Sequence, residues 1–330
     1  MMARATLKTI ALELGVAVTT VSRAMRDDPA IKAETRRRVK QKADELGYVP
    51  DRAGVRLRTG KTNVISVLSP IERNMSNYQT RLLEAVAERL KGSGYHLNTS
   101  YYFDEEDALR ETRYLVETRA ADGIIINNTS PRDPRVRYML DNNFPFAVHG
   151  RTDWCERHAY YDYDNRRFAT LAVGKLAQLG RRRILAILPP EKANYRFEML
   201  SGLEAAPDGI SVVTCPEVHA DSPYPDIDRA VQEAVSAQPQ IDAILASSPV
   251  SCMAAVSAVE RHGRKLGKDI DVLSREAIPF LKMFRSELIV AYEDVASAGL
   301  FLVDALRQQI EQPECLPLQH LATPSMSDFR

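Results

Sequence analysis

Cysteine is scarce and scattered in this 330-residue chain. Cys155, Cys215, Cys252 and Cys315 form no C-x-x-C pair, which speaks against a disulfide framework or zinc site and predicts reduced, structural thiols. No apolar run approaches the roughly 18 residues that a membrane span needs. The opening Met1-Met2-Ala3-Arg4-Ala5-Thr6-Leu7-Lys8 has no apolar signal stretch, so a cytoplasmic protein without membrane contact is expected. The six histidines show no metal spacing such as H-x-x-x-H, and no phosphate-cradling glycine loop or nucleophile elbow is present. We therefore expect neither an enzyme nor a metal or other cofactor.

Net charge is also absent, but only as a total: 44 Lys and Arg balance 44 Asp and Glu. Residues 1–61 hold 14 of the basic and seven of the acidic residues, leaving 30 and 37 for the rest. The head is thus +7 and the body −7, an asymmetry that draws one end of the chain to phosphate.

Within the head, Thr6 is positioned to cap a helix over Leu7–Leu14 with Ile10, Ala11 and Leu14 on one face, closed by Gly15. A second helix, about Val18 to Arg26, turns Val21, Ala24 and Met25 inward and leaves Thr19, Thr20, Ser22, Arg23 and Arg26 on other faces. A third, about Glu34 to Leu46, buries Val39, Ala43 and Leu46, and Gly47 ends it. Two short helices around a glycine turn, the second polar and basic outside, make a helix-turn-helix. Arg36, Arg37, Arg38, Lys40 and Lys42 read equally well as a solvated helix face or as a phosphate patch.

In order along the chain, Thr6-Leu7-Lys8-Thr9-Ile10-Ala11, Gly15-Val16, Thr20-Val21-Ser22-Arg23, Thr35-Arg36, Leu46-Gly47-Tyr48-Val49-Pro50 and Leu57-Arg58-Thr59-Gly60 resemble the head and hinge of lactose repressor/galactose repressor (LacI-type) regulators. The resemblance implies a homodimer on a near-palindromic operator in double-stranded DNA, with recognition helices in the major groove and a hinge helix, here about 50–61, that folds in the minor groove on DNA. It implies that Val18, Thr19 and Arg23 face base edges, Arg23 as a bidentate guanine reader. Thr20, Ser22, Arg26, Thr35 and Tyr48 would hold phosphates, and Leu57 would wedge between the central base pairs.

The head departs from the family pattern in four places. Ala17 stands where a serine usually caps the recognition helix, a loss of about 1 kcal/mol, and Lys32 stands where a serine caps the third. In the hinge, Asp51 replaces an asparagine and Gly54 an alanine, and the glycine costs a helix roughly 0.5–1 kcal/mol.

From Asn63 onward, short β-rich runs alternate with amphipathic helices. Strands are expected at Val64–Ser69, Leu97–Phe103, Gly123–Asn127, Phe146–His149, Ile184–Leu188, Ile210–Thr214, Ala243–Ala246, Ile270–Leu273 and Leu288–Ala291. Helices are expected near Tyr78–Lys91, Glu106–Val116, Asn165–Leu179, Pro225–Ser236, Cys252–His262 and Val295–Ile310. That alternation predicts parallel sheets with right-handed crossovers. The resemblance, carried weakly by Asp164-Asn165, Leu179-Gly180-Arg181-Arg182-Arg183-Ile184 and Gly202, implies a two-lobed effector domain of the periplasmic-binding-protein type over 62–330. Lobe 1 would take about 62–158 plus 287–320 and lobe 2 about 159–286 plus 321–330, with a ligand in the cleft changing the lobe angle.

Parallel sheets bind ligands at the carboxyl ends of their strands. That rule selects Ser69, Asn127, Arg151, Ser247, Ser248 and Glu276, with Tyr78 opening the first helix of the body; each could equally serve loop backbone. His149 reads more readily as a core or loop histidine than as a cleft residue. Where relatives carry a sugar-gripping arginine, three residues before the glycine matching Gly202, this chain has Met199, with Arg196 nearby. Ser247-Ser248 replace an Asn-Asp pair, Ser274-Arg275-Glu276-Ala277 replace Gly-Tyr-Asp-Asp, and Gly150 replaces an aspartate.

The expectation is a dimeric repressor of a catabolic operon gated by a sugar-like effector; a corepressor, a non-sugar effector, or a cytosolic solute-binding protein are the alternatives. Replacing Gly54 by Ala should lower the dissociation constant for operator DNA in an anisotropy titration, and an unchanged or weaker affinity removes the hinge argument.

Overall fold

The computed structural model describes residues 5–48, 54, 56, 59–71, 77–215 and 217–330. Internal contacts divide the chain between Thr62 and Asn63. In the head, α1 (Leu7–Leu14), α2 (Val18–Ala24) and α3 (Ala33–Glu45) enclose Ile10, Ala11, Val21, Ala24, Val39 and Ala43. Thr6 and Thr9 form a reciprocal capping box at α1, and Gly15 ends that helix at φ +63. Neither Ala17 nor Lys32 makes a side-chain cap to the helix it precedes. Gly54, Arg56 and Thr59 have helical backbone; Asp51 and Leu57 lie outside the described residues.

The body holds two fully parallel sheets. The first contains β1 (Val64–Pro70), β2 (His96–Tyr102), β3 (Gly123–Ile126), β4 (Phe146–His149), β5 (Ala159–Tyr163) and β11 (Gln319–Ala322), in the order β11-β5-β4-β3-β1-β2. It is covered by α4 (Asn77–Leu90), α5 (Glu105–Glu117), α6 (Pro134–Asp141) and α12 (Val295–Glu311). The second contains β6 (Arg183–Ile187), β7 (Ser211–Thr214), β8 (Ala243–Ala246), β9 (Asp271–Glu276) and β10 (Ile289–Tyr292), in the order β10-β9-β8-β6-β7. Around it pack α7 (Asn165–Gln178), α8 (Asn194–Leu203), α9 (Tyr224–Ala237), α10 (Pro249–Arg261) and the short α11 (Leu281–Phe284). Strands buried on both faces, such as Gly123–Ile126 and Ala243–Ala246, are what a parallel sheet sandwiched by helices requires.

The observed lobe limits differ from the expected ones. β5 pairs with β4 in the first sheet, so that lobe runs to Tyr163 rather than 158. β10 pairs with β9 in the second, which moves the next crossing from 287 to the stretch after Tyr292. The third follows β11, and Phe329 then packs into the second lobe beside Phe168. The sequence reading did not anticipate β5 because three tyrosines and Asp162 mask its apolar alternation, nor β11 because it is a short, largely exposed edge. Helix α8 was also unforeseen: its apolar residues spread around the axis, with Met199 buried and Phe197 exposed. Among the described residues no helix is long and apolar enough to cross a membrane.

Two glycines on the α7–α8 pair make opposite predictions. A Cβ at Gly202 would run into the Arg166 carbonyl and lie 2.8 Å from the Ala169 Cβ, whereas one at Gly174 meets nothing within 4 Å. Gly202→Ala should lower the unfolding free energy by about 1–3 kcal/mol, and Gly174→Ala should raise it by about 0.5–1 kcal/mol, both read from urea melts.

Candidate DNA-binding head and effector cleft

With its apolar stripe committed to the head core, α2 presents Val18, Thr19 and Arg23 outward, next to the exposed Ala17 and Arg26. Thr20, Ser22, Thr35 and Tyr48 are half-buried. The Arg23 Nε donates to Asp28 Oδ2 at 2.8 Å, and the Arg26 Nε donates to the Ser22 carbonyl at 3.0 Å. The basic run on α3 divides by role. Arg36 donates to the carbonyls of Ile31 at 2.7 Å and Asp28 at 3.2 Å, so it fixes the α2–α3 loop. Lys40 pairs with Asp27 and Lys42 with Glu45, while Arg37 and Arg38 are exposed. Gly54 has room for a methyl group.

In the body, the carboxyl ends of both sheets open on one cavity of about 360 Å³. Its first-lobe wall carries Tyr78 from α4, His149 at the end of β4, Arg151 just after it, and Asp162 and Tyr163 from β5; the second-lobe wall carries Tyr195, Asp221, Ser247, Ser248, Arg275 and Glu276. Asn165 and Glu293 sit on the crossing segments between them. Among the described residues, six groups from both lobes and the crossings form a network around Arg275. Its guanidinium donates to Asn165 Oδ1 at 2.6 Å and to the Ser247 carbonyl at 3.3 Å, and lies 3.6 Å from Glu293 Oε2. The rings of Phe168, Tyr195 and Tyr163 stand 5.5–5.8 Å from it, within cation–π range.

Burial and charge set the protonation of these groups. Burial raises Glu293 against the pull of Arg275 and a hydrogen bond from Tyr78. It raises Asp162 to about 6, although Arg151 Nε donates to that carboxylate at 2.7 Å. His149 is pushed down to about 4 by burial and then by Arg275, so its ring is neutral at pH 7 beside the Tyr78 hydroxyl, 2.7 Å from Nε2. Arg151 also lies 3.4 Å from Glu198 of α8. With the Asn194 N–H on the Thr129 carbonyl at 2.7 Å and Lys192 on Glu105 at 2.9 Å, it forms a row of direct contacts between the lobes.

Of the residues expected in the cleft, Tyr78, Arg151, Ser247, Ser248 and Glu276 line it. Three of them already serve the backbone. Ser247 Oγ donates to the Ile187 carbonyl, Ser248 caps α10, and the Glu276 carboxylate accepts from the N–H groups of Phe280 and Leu281. The other four do not line the cavity. Ser69 and Asn127 both bond to Gln79 behind the wall. Arg196 turns its guanidinium to the Pro189 carbonyl at 2.6 Å, and Met199 is fully buried in the second-lobe core. His149, read as a core or loop residue, is buried and also lines the cavity. Asp162 and Tyr163 were missed with β5. Arg275 was read only as a lost family residue, and Glu293 was legible by the same strand-end rule that selected the others.

The head, residues 6–51, matches the model of bacterial regulatory proteins of the lacI family, and residues 64–312 match that of periplasmic binding proteins and sugar binding domains of the LacI family. The chain belongs to the LacI family. It is 32% identical over 322 residues to the HTH-type transcriptional regulator AglR of Rhizobium meliloti (strain 1021), covering 93% of this chain and 90% of that one. It is 28% identical to RafR of Escherichia coli, covering 96% of each. Among solved structures, the lac repressor dimer bound to operator and the anti-inducer ONPF superposes with a TM-score of 0.83 at 20% identity, over 97% of each chain. The CelR–cellobiose complex does so at 0.69 and 22%, again over 97% of each. This LacI-family chain is accordingly a helix-turn-helix transcriptional regulator and not an enzyme.

The neutral buried ring of His149 gives a pH prediction. Between the ordinary histidine value of 6.5 and about 4, the unfolded chain binds the proton that the folded chain refuses. Stability from this group is complete above pH 6.5 and is lost as pH falls through that window. Replacing His149 by Gln should therefore shrink the wild-type advantage on acidification from pH 7 to 4.5, by up to about 2–3 kcal/mol, in urea melts at each pH.

Proposed function

We propose that this LacI-family protein is a cytoplasmic, dimeric repressor that binds a near-palindromic operator and leaves it when an uncharged, sugar-like effector occupies the interlobe cleft. In this reading Val18, Thr19 and Arg23 contact base edges, Thr20, Ser22, Arg26, Thr35 and Tyr48 hold phosphates, and Ala17, Asp51, Gly54 and Leu57 shape the recognition helix and hinge. The effector is held by Tyr78, Arg151, Asp162, Asn165, Tyr195 and Arg275, with Ser247, Ser248 and Glu276 shaping the wall.

One observation carries the choice of an uncharged ligand. Among the described residues, Asp162, Asp221, Glu276 and Glu293 line the cavity with two guanidiniums, Arg151 and Arg275, and both are already paired with carboxylates. A phosphate or carboxylate on the ligand would add negative charge to an acid-rich, poorly hydrated site. Hydroxyl groups can instead both donate to those acids and accept from the guanidiniums, and the tyrosine rings supply apolar contact. The cellobiose complex of CelR and the family's sugar-binding model agree with this chemistry.

The test is selection of bound fragments from the source genome at about 0.15 M salt, where exposed-charge attraction is screened beyond roughly 8 Å. A small set of near-palindromic fragments should be enriched, and no preference over random DNA would defeat the assignment. Adding neutral disaccharides should release the enriched fragments, whereas the corresponding sugar phosphates should not; tighter binding with ligand would make the effector a corepressor.

A further inference from the structure

The loop after α2 is built around one carboxylate. Asp27 adopts a left-handed conformation, φ +56, and its carboxylate holds Lys40 Nζ of α3 at 2.6 and 2.7 Å. That reversal folds Asp28 back onto the end of α2. The Asp28 N–H donates to the Arg23 carbonyl at 3.2 Å, and its own carbonyl accepts from Arg36 Nη1 at 3.2 Å. Its side chain is then divided: Oδ1 accepts from the Ala30 N–H at 2.9 Å, and Oδ2 accepts from Arg23 Nε at 2.8 Å. The pair holds the Asp28 carboxyl below and the Arg23 guanidinium above their ordinary values.

We propose that Asp28 is a positioning residue for base readout: anchored in the α2–α3 loop, it grips Arg23 by Nε and presents the two terminal nitrogens as a pre-set fork. The proposal rests on Arg23 being a base-reading residue. A guanidinium on a flexible stem pays ordering entropy when it docks on the O6 and N7 of guanine, and holding one edge of its plane beforehand removes part of that cost. The same carboxylate repels DNA phosphate wherever the head lands. Asp28 thus favours discrimination over sequence-independent affinity, whereas a carboxylate that only capped the loop would repel phosphate without orienting Arg23.

The test titrates the full-length protein against duplexes with randomised base pairs, sequences what is bound, and measures affinity for one fixed random duplex over a salt series. Asp28→Asn keeps an amide oxygen for the Ala30 N–H but offers Arg23 no carboxylate. The wild type should favour guanine at one position of each half-site by about tenfold or more, and Arg23→Ala should erase that preference. Asp28→Asn should lose several-fold of it while binding the random duplex more tightly and with a steeper salt dependence. Asp28→Glu, which retains a carboxylate, should recover part of the preference. An Asp28→Asn protein with full guanine preference, or one weakened equally on every sequence with a lower melting temperature, overturns the proposal. A guanine preference that survives Arg23→Ala overturns the reading of Arg23 itself, a separate result.

Discussion

Parallel pairing is the constraint on which the body depends. Each ladder between the strands of its two sheets is parallel, so every strand must be followed by a crossover and every carboxyl end emerges on the same edge of its sheet. Chain economy then brings polar loops together without any single residue having to specify the cavity. The crossings after β5, β10 and β11 place Asn165 and Glu293 at the junction of the lobes, where Arg275 of β9 reaches both. A residue of one lobe thereby senses the segment that links it to the other.

That junction is electrostatically economical. The Arg275 side chain is only 14 % exposed, and a lone guanidinium there would be costly to desolvate. Glu293 supplies the opposite charge, Asn165 and the Ser247 carbonyl supply acceptors, and three aromatic faces surround the plane. Tyr78 joins Glu293 to His149 of the first lobe, so the polar chain runs from one sheet to the other. A ligand that bonds any member alters the partners of the rest, which gives cleft occupancy a route to the lobe angle in terms of specific hydrogen bonds.

The sequence made the architecture legible where apolar patterning and capping agreed. Thr6 and Gly15 bracket α1, and the buried runs of β3 and β8 stand out against their polar flanks. It hid the cleft where one residue does two jobs. In β5, Asp162 and Tyr163 are both strand and site, so the chemistry that makes them useful breaks the pattern that would reveal them. Ser247, Ser248 and Glu276 show the converse: strand-end position put them at the cavity, but the loops consume their hydrogen bonds. Spacing reports location, and only the partners in space report which polar groups remain for a ligand. Arg275 could not be read from its own position either, because its meaning depends on Glu293, eighteen positions away and brought close by β10.

The head obeys a related economy under a different constraint. Its six-residue buried core is too small to lock side chains by packing alone, so the orientation of its outer face falls to polar contacts in the connections. Arg36, Lys40 and Asp27 tie the loop to α3, and Asp28 ties the loop to Arg23. Exposed ion pairs contribute little to stability, and nothing in the fold requires these to contribute much. Their geometric effect is separate from their energy: a contact too weak to hold a domain together still selects among the rotamers of one arginine. Acidic residues in a head of net charge +7 would be hard to account for if phosphate attraction were its whole task, since each weakens that attraction. They follow directly if the head must also refuse most of the DNA it meets.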